Sequence, residues 1–438
     1  MAYQEITSVG WLERLGSSFK GIVFGIALFI AGTVLLWWNE GDFVATGDAL
    51  NEAHAITQEL GDITKLDSSK NGQLVHATGL VETKDILADP VFGFSVSAIR
   101  LERTVEFYQW VEKSSSEKKK KIGGGEETVT TYTYAQEWVG APVDSSQFKS
   151  PNAPRLKRNF VLAHMENFTV QADNVTFGAY RMPASMISSI SGAVPLSVTM
   201  SEEAKAALNE QLYRALEEAK PQAKSPIFAD DAPQAIREGR YNAAAKPEMI
   251  HFSGNTAILG LSPSVPKIGD VRVTFKETKP GTVSILAQVN GDTFEAYRAA
   301  NGKTFSKLTM GTQSLENMYG SAHSSNATMT WLLRLGGVLL VIMGLKMVVA
   351  PLAVVASVIP LLGSIVGAGV GLVSMLLGGA WSLVIIAVAW LRFRPLIGGA
   401  MLAVAGVLVA LLFIKGRSGK AAQPQMPVAE STTKAEKP

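Results

Sequence analysis

Two apolar blocks frame a polar middle. Gly21–Trp38 runs eighteen residues without a charge, and a longer, mostly apolar region extends from Trp331 to Ile414. A helix needs about 20 apolar residues to cross the hydrocarbon core of a bilayer. The pattern therefore predicts a membrane protein with a large water-soluble domain held between its anchors. The C-terminal block is not uniform. Residues 329–350 make one pass, after which Met347 to Leu391 carry no charge but are interrupted by Pro351 and Pro360. The simplest arrangement lays 351–362 at or into the membrane surface and places spans at 363–391 and 395–414. With the first span at 21–38 this makes four passes, and residues 415–438 form a disordered cytoplasmic tail.

Between the blocks, alternation of apolar and polar positions predicts strands. Period 2 is the geometry of a strand with one buried face. It marks Gln73–Val81, a long hairpin of Ile99–Glu112 and Thr128–Val139, then Asn159–Val170, Gly269–Phe275 and Thr282–Val289. Asp48–Leu60 reads as a short helix. A clearer one begins at Ser201, with Glu202 and Glu203 at its positive end and Pro221 beyond. Its Ala204, Leu208, Leu212 and Leu216 share one narrow apolar face. The expected class is a membrane α-helical anchor plus a β-rich α+β extracytoplasmic domain over 39–328, with barrel-like, OB-like sheets.

Charge sets the orientation. Arg14 and Lys20 precede the first span and Glu40 and Asp42 follow it, so the positive-inside rule keeps 1–20 in the cytoplasm. At the other end the rule divides: four passes leave Arg392 and Arg394 outside, and a fifth would bring them in and put the tail out. Arg334 and Lys346 lie close enough to span ends to snorkel. The net charge of +2 gives no case for nucleic acid. The absence of cysteine removes disulfides, thiolate chemistry and Cys-ligated zinc.

Candidate chemistry is sparse. Five scattered histidines lack metal-ligand spacing, Asp230-Asp231 is too short for a calcium site, and no nucleophile elbow, zinc helix, phosphate loop or dinucleotide fingerprint occurs. The expectation is no catalytic residue, no metal and no cofactor. Small residues recur at close-packing intervals in the spans, and Gly21, Gly25, Gly367, Gly371, Gly399 and Gly406 are the candidates for helix packing, within or between chains. In the hairpin, Tyr132, Tyr134 and Trp138 fall on one face, to be read either as core or as a partner-contact surface. The hairpin connection, Lys113–Glu127, holds the run Lys118–Lys121. A basic run suits anionic headgroups, and a flexible, solvated tip is the plainer expectation.

Several short motifs, in order, resemble the LUMA family (transmembrane protein 43). They are Asn39-Glu40-Gly41 after the first span, Gly72-x-Leu74-Val75-His76 with Gly79, and Asp89-Pro90 with Gly93. Tyr108-Gln109-Trp110-Val111-Glu112, Tyr132-x-Tyr134 with Glu137-Trp138, and Gly269-Asp270-x-Arg272-Val273 follow. Trp390-Leu391 with Arg394-Pro395-Leu396 closes the series. The resemblance implies four spans, a lumenal domain, self-association and no established enzymatic activity. Its animal members sit in the endoplasmic reticulum and inner nuclear membrane, where they bind lamina-associated proteins. The basic-Gly hairpin tip, Gly-rich third span and Ala/Pro/Lys tail have a bacterial style. In a bacterium the nuclear role does not transfer and the lumen becomes periplasm.

The function expected is that of a non-enzymatic membrane scaffold. Its partners would be membrane lipid, further copies of itself as a homo-oligomer and an unidentified envelope protein, without nucleic acid. A transport or channel component and a lipid- or envelope-modifying enzyme are the alternatives.

Overall fold

The computed structural model describes residues 2–222, 247–400 and 403. The chain divides into two compact units. The first holds Met1–Lys20, Ala45–Thr328 and Ala350–Gly369; the second holds Gly21–Val44, Met329–Val349 and the residues from Val370 onward. Among the described residues, three helices are long and apolar enough to cross a membrane: α1 (Trp11–Ile56), α3 (Leu315–Ala356) and α4 (Pro360–Phe393). The expected fourth span, the tail and the Asp230-Asp231 pair lie outside the described residues.

The first unit is strand-rich, as the alternation predicts. Its larger sheet has eight strands. The N-terminal strand β1 (Tyr3–Val9) pairs with β4 (Glu126–Val139), which pairs with β3 (Arg100–Lys120), and β3 with β5 (Val271–Thr278). In β3 the odd positions Leu101, Val105 and Phe107 are buried. They meet Phe92, Val273 and Phe275 in one core cluster or its neighbour. Helix α2 (Glu202–Gln222) covers that core with Leu208 and Leu212, and Ser201 Oγ accepts the Ala204 N–H at its start.

A second sheet of seven strands is built on β2 (Leu74–Thr83) and β6 (Gly281–Asn290), which pair antiparallel. The link between Tyr180–Arg181 and Thr293–Glu295 is the single pair Arg181↔Thr293, and the barrel is not closed. Lys279 and Pro280 carry the chain from one sheet into the other. The two ends of the membrane block that enter this unit are tied to the second sheet. Leu50 and Ala53 of α1 and Met318 and Tyr319 of α3 share a cluster with Leu74 and Leu286. Buried His76 bridges the Glu59 carboxylate through Nδ1 (2.8 Å) and the Gln313 carbonyl through Nε2 (2.9 Å).

Three element boundaries differ from expectation for identifiable reasons. Asp48–Leu60 is not a separate helix, because α1 continues unbroken through Gly41 to Ile56. Asn159–Val170 is a strand only at Phe168–Gln171. Upstream, Asn159 replaces the ladder with its side chain, accepting the Trp110 N–H (2.8 Å) and donating to the Trp110 carbonyl (2.9 Å), while Asn167 Oδ1 accepts the Val105 N–H (2.8 Å). The hairpin connection is much shorter than Lys113–Glu127. The ladder continues to Lys120↔Glu126, since Ser and Thr in this stretch pair across strands as well as apolar residues do.

Candidate functional site

Within the second unit, α1 and α3 meet through glycine. A Cβ on Gly25 would lie 2.8 Å from the Gly344 carbonyl oxygen, and one on Gly32 would lie 2.8 Å from that of Gly337. Both pairs are seven residues apart, two turns on each helix, so antiparallel helices touch backbone to backbone twice. Gly378 brings α4 against Ile342 in the same way, at 2.8 Å. Such contacts supply the dispersion that must hold helices together where hydrophobicity cannot.

At one end of this unit sits a buried charge cluster. Glu40 is 1 % exposed and accepts from Arg334 Nε at Oε1 (2.6 Å) and from Arg334 Nη2 at Oε2 (2.7 Å). Trp390 Nε1 donates a third hydrogen bond to Oε2 (2.6 Å). The guanidinium lies 4.8 Å from the Trp331 ring centroid and 5.6 Å from that of Trp390. Beside it, buried Asn39 donates to the Thr330 carbonyl (3.2 Å). Gly41 leaves room for the Phe393 ring, which a Cβ would meet at 2.8 Å, and Arg394 stacks over Phe43 at 4.9 Å. One helix supplies Asn39, Glu40 and Gly41, a second Thr330 and Arg334, and a third Trp390 and Phe393.

The chemistry of this cluster is that of a clamp. Both carboxylate oxygens accept from Arg334 in a bidentate fork, and Oε2 accepts from Trp390 as well. The expected snorkelling of Arg334 is corrected: its guanidinium is paired with the buried Glu40 carboxylate. Lys346 is exposed. Sequence reasoning placed Asn39-Glu40-Gly41 and Trp390-Leu391 far apart in one series of motifs, and the fold brings them together. The legible signal was one carboxylate and one guanidinium at the ends of two apolar runs, a combination that lipid tolerates when the two are paired.

The other site candidates separate. Gly25 is a packing glycine. Gly21 is in ordinary contact with Met347, at 3.8 Å, and Gly367, Gly371 and Gly399 have nothing within 4 Å of an added Cβ. Gly406 lies outside the described residues. Gly32, Gly337 and Gly344 make further close approaches, and the four-residue motif missed the seven-residue recurrence that links them to Gly25; Gly378, four residues after Ser374, makes the approach of α4.

Tyr132, Tyr134 and Trp138 are neither core nor free surface; each is half-buried against its own chain. Tyr132 donates to Glu5 (3.0 Å) and stacks on Tyr3, Tyr134 donates to Glu112 (2.5 Å) and lies on Phe148, and Trp138 packs between Tyr108 and the Arg272 guanidinium. Lys157 sits 3.9 Å from the Trp110 centroid, and partial burial lowers its pKa.

Two buried carboxylates complete the inventory of the first unit. Asp89 accepts from the Val91 and Phe92 N–H groups and from Arg103, so the Asp89-Pro90 motif is a turn locked to β3. Asp270 accepts the Lys267 N–H (2.7 Å), and burial raises its pKa to about 7 against the pull of that hydrogen bond and of the Lys267 charge. Among the described residues no group of three or more His, Asp or Glu could hold a metal ion.

Residues 107–395 match the family model described as Transmembrane protein 43. The chain is 27% identical over 403 residues to Transmembrane protein 43 of Rattus norvegicus, covering 88% of each protein. To the Homo sapiens protein of the same name it is 25% identical over 424 residues, covering 93% of this chain and 92% of that one. A Drosophila melanogaster homolog is 25% identical over 401 residues, 89% and 93% of the two chains. No solved structure matches.

Proposed function

The chain belongs to the Transmembrane protein 43 family, and from that premise we propose that it is a non-enzymatic membrane scaffold that self-associates and binds protein or lipid through its strand-rich domain. The observation that carries this reading is the division of its membrane glycines. Gly25, Gly32, Gly337, Gly344 and Gly378 are filled by contacts inside the chain, whereas among the described residues nothing lies within 4 Å of a Cβ on Gly367 or Gly371. Those two share a face of α4, and a second copy is the occupant that small residues at this spacing admit in lipid. Flanking charge favours a domain outside the bilayer on the far side of the first span, in periplasm for a bacterial chain and in a lumen for a eukaryotic one, and the pairing of Tyr3–Val9 with the hairpin opposes it. Glu40 and Arg334 are paired with each other inside the chain, so this cluster gives no support to the transport alternative.

The test is crosslinking in native membranes. Gly367→Leu with Gly371→Leu should lower recovered oligomer several-fold at unchanged expression. Gly25→Leu, which would drive a side chain into the Gly344 carbonyl, should instead reduce folded protein. An oligomer population untouched by the α4 pair would reject self-association through that face. Turnover of a lipid or envelope substrate, abolished by one polar substitution, would overturn the non-enzymatic reading.

A further inference from the structure

Three apolar runs stop at one level of the second unit. The run of α1 ends at Trp38, that of α4 at Leu391, and that of α3 begins at Leu335, just after Arg334. The hydrogen bonds from Arg334 and Trp390 to Glu40 hold these three ends side by side. Tryptophan gathers at the same level. Trp38 is 55 % and Trp331 67 % exposed, and Trp37 packs on Phe393 with ring centroids 5.6 Å apart. An indole has an apolar body and a polar N–H, so tryptophans collect where hydrocarbon gives way to headgroups.

Two arginines follow directly at the end of α4. Arg392 is exposed and Arg394 half-buried. Their contacts among the described residues are with rings: Arg392 lies over Phe393, 5.8 Å from its centroid, and Arg394 over Phe43, at 4.9 Å. The carboxylate of this cluster, Glu40, is already held by Arg334. A guanidinium over a ring uses its face and keeps its in-plane N–H donors for another partner. At headgroup depth that partner is a phosphate, whose paired oxygens match the guanidinium fork.

We propose that Arg392 and Arg394 form a headgroup site for an anionic phospholipid and grip its phosphate. The lipid carries net negative charge, since the ammonium of phosphatidylcholine offsets its own phosphate. Such a site stands on the membrane assignment rather than on the scaffold reading: its readout is retained lipid, and that of the scaffold is oligomer recovery.

Full-length protein in nonionic detergent would be given equal phosphatidylglycerol and phosphatidylcholine, and bound lipid counted by native mass spectrometry. The wild type should carry a roughly tenfold excess of phosphatidylglycerol, the scale of one charge-assisted hydrogen bond. Arg392→Gln with Arg394→Gln should bring the two lipids near parity, with melting in lipid-free detergent unchanged. Arg392 is exposed, so Arg392→Gln alone serves if the pair does not fold, and it should cut the excess several-fold. Lys346→Gln, which removes an exposed charge elsewhere on α3, should leave the excess intact. Equal uptake by the wild type, an excess that survives the arginine variants, or an equal fall in Lys346→Gln would overturn the proposal. Displacement of the lipid by inorganic phosphate would also overturn it, by making the site one for a soluble anion.

Discussion

Asp270 holds its carboxylate against the Gly260 α-carbon, where a Cβ would sit 2.3 Å from Oδ1, and Gly269 before it takes φ +98° beneath the Phe160 ring. Burial is the largest influence on its proton, raising the folded pKa to about 7, whereas an unfolded aspartate titrates near 3.9. Folding therefore takes up a proton between those values. The contribution to stability is complete below about pH 4 and lost as pH rises through about 7, at roughly 1.4 kcal/mol per pH unit and about 4 kcal/mol at most. Asp270→Asn should remove this slope. Unfolding of the solubilised full chain at pH 5 and pH 8 checks it: the wild type should lose several degrees more than the variant. Equal losses would show that Asp270 does not carry the proton. The motif Gly269-Asp270 was visible in the sequence, but its burial was not, since that depends on Gly260 and Phe160 arriving from elsewhere in the chain.

At the scale of elements, long periodic segments were legible and side-chain substitutes for backbone were not. The strands around Val105 and Val273 bury alternate positions, those around Val75 and Ile285 are buried on both faces, and α2 follows its i, i+4 face. Asn159 and Asn167 defeat the pattern because each satisfies an edge of β3 with an amide side chain, which no periodicity records. Helix packing was legible as glycine content and illegible as register: the contacts recur at seven because two antiparallel helices return to the same face after two turns. The Glu40–Arg334 clamp gives this scale its prediction. Glu40→Gln or Arg334→Met alone leaves a buried group without its partner, and losing one member of a buried pair costs about 3–5 kcal/mol. Glu40→Met with Arg334→Met should recover most of that loss, because apolar replacements of similar volume are often neutral. Thermal unfolding in detergent of the single and double variants measures it. A Glu40→Gln protein as stable as the parent would mean that Trp390 and the glycine contacts hold the helices without the ion pair.

For the whole molecule, the N-terminal strand poses the sharpest constraint. Charge flanking the first span separates residues 1–20 from the domain by a membrane, yet Tyr3–Val9 pairs with Tyr132–Glu126 through seven opposed residues. Backbone ladders of this polarity do not form across hydrocarbon, so strand and hairpin share one compartment wherever both are folded. Nothing in YQEITSV announces such a partner: the segment is short, polar and half-exposed, and its pairing follows from the unusual reach of β3 and β4. Ser8 faces Glu127 in the register, and directly opposed residues of an antiparallel pair lie about 4.5–5.5 Å apart at Cα, inside the window for a disulfide. Ser8→Cys with Glu127→Cys should therefore crosslink in isolated membranes under mild oxidation, giving a mobility shift that no native cysteine can confuse. Ser8→Cys with Thr131→Cys, whose register partner is Gln4, should not. Impermeant labelling of Ser116→Cys would then report the side on which the joined strand and hairpin lie. Absence of the Ser8–Glu127 bridge in correctly inserted protein would return the two segments to opposite sides.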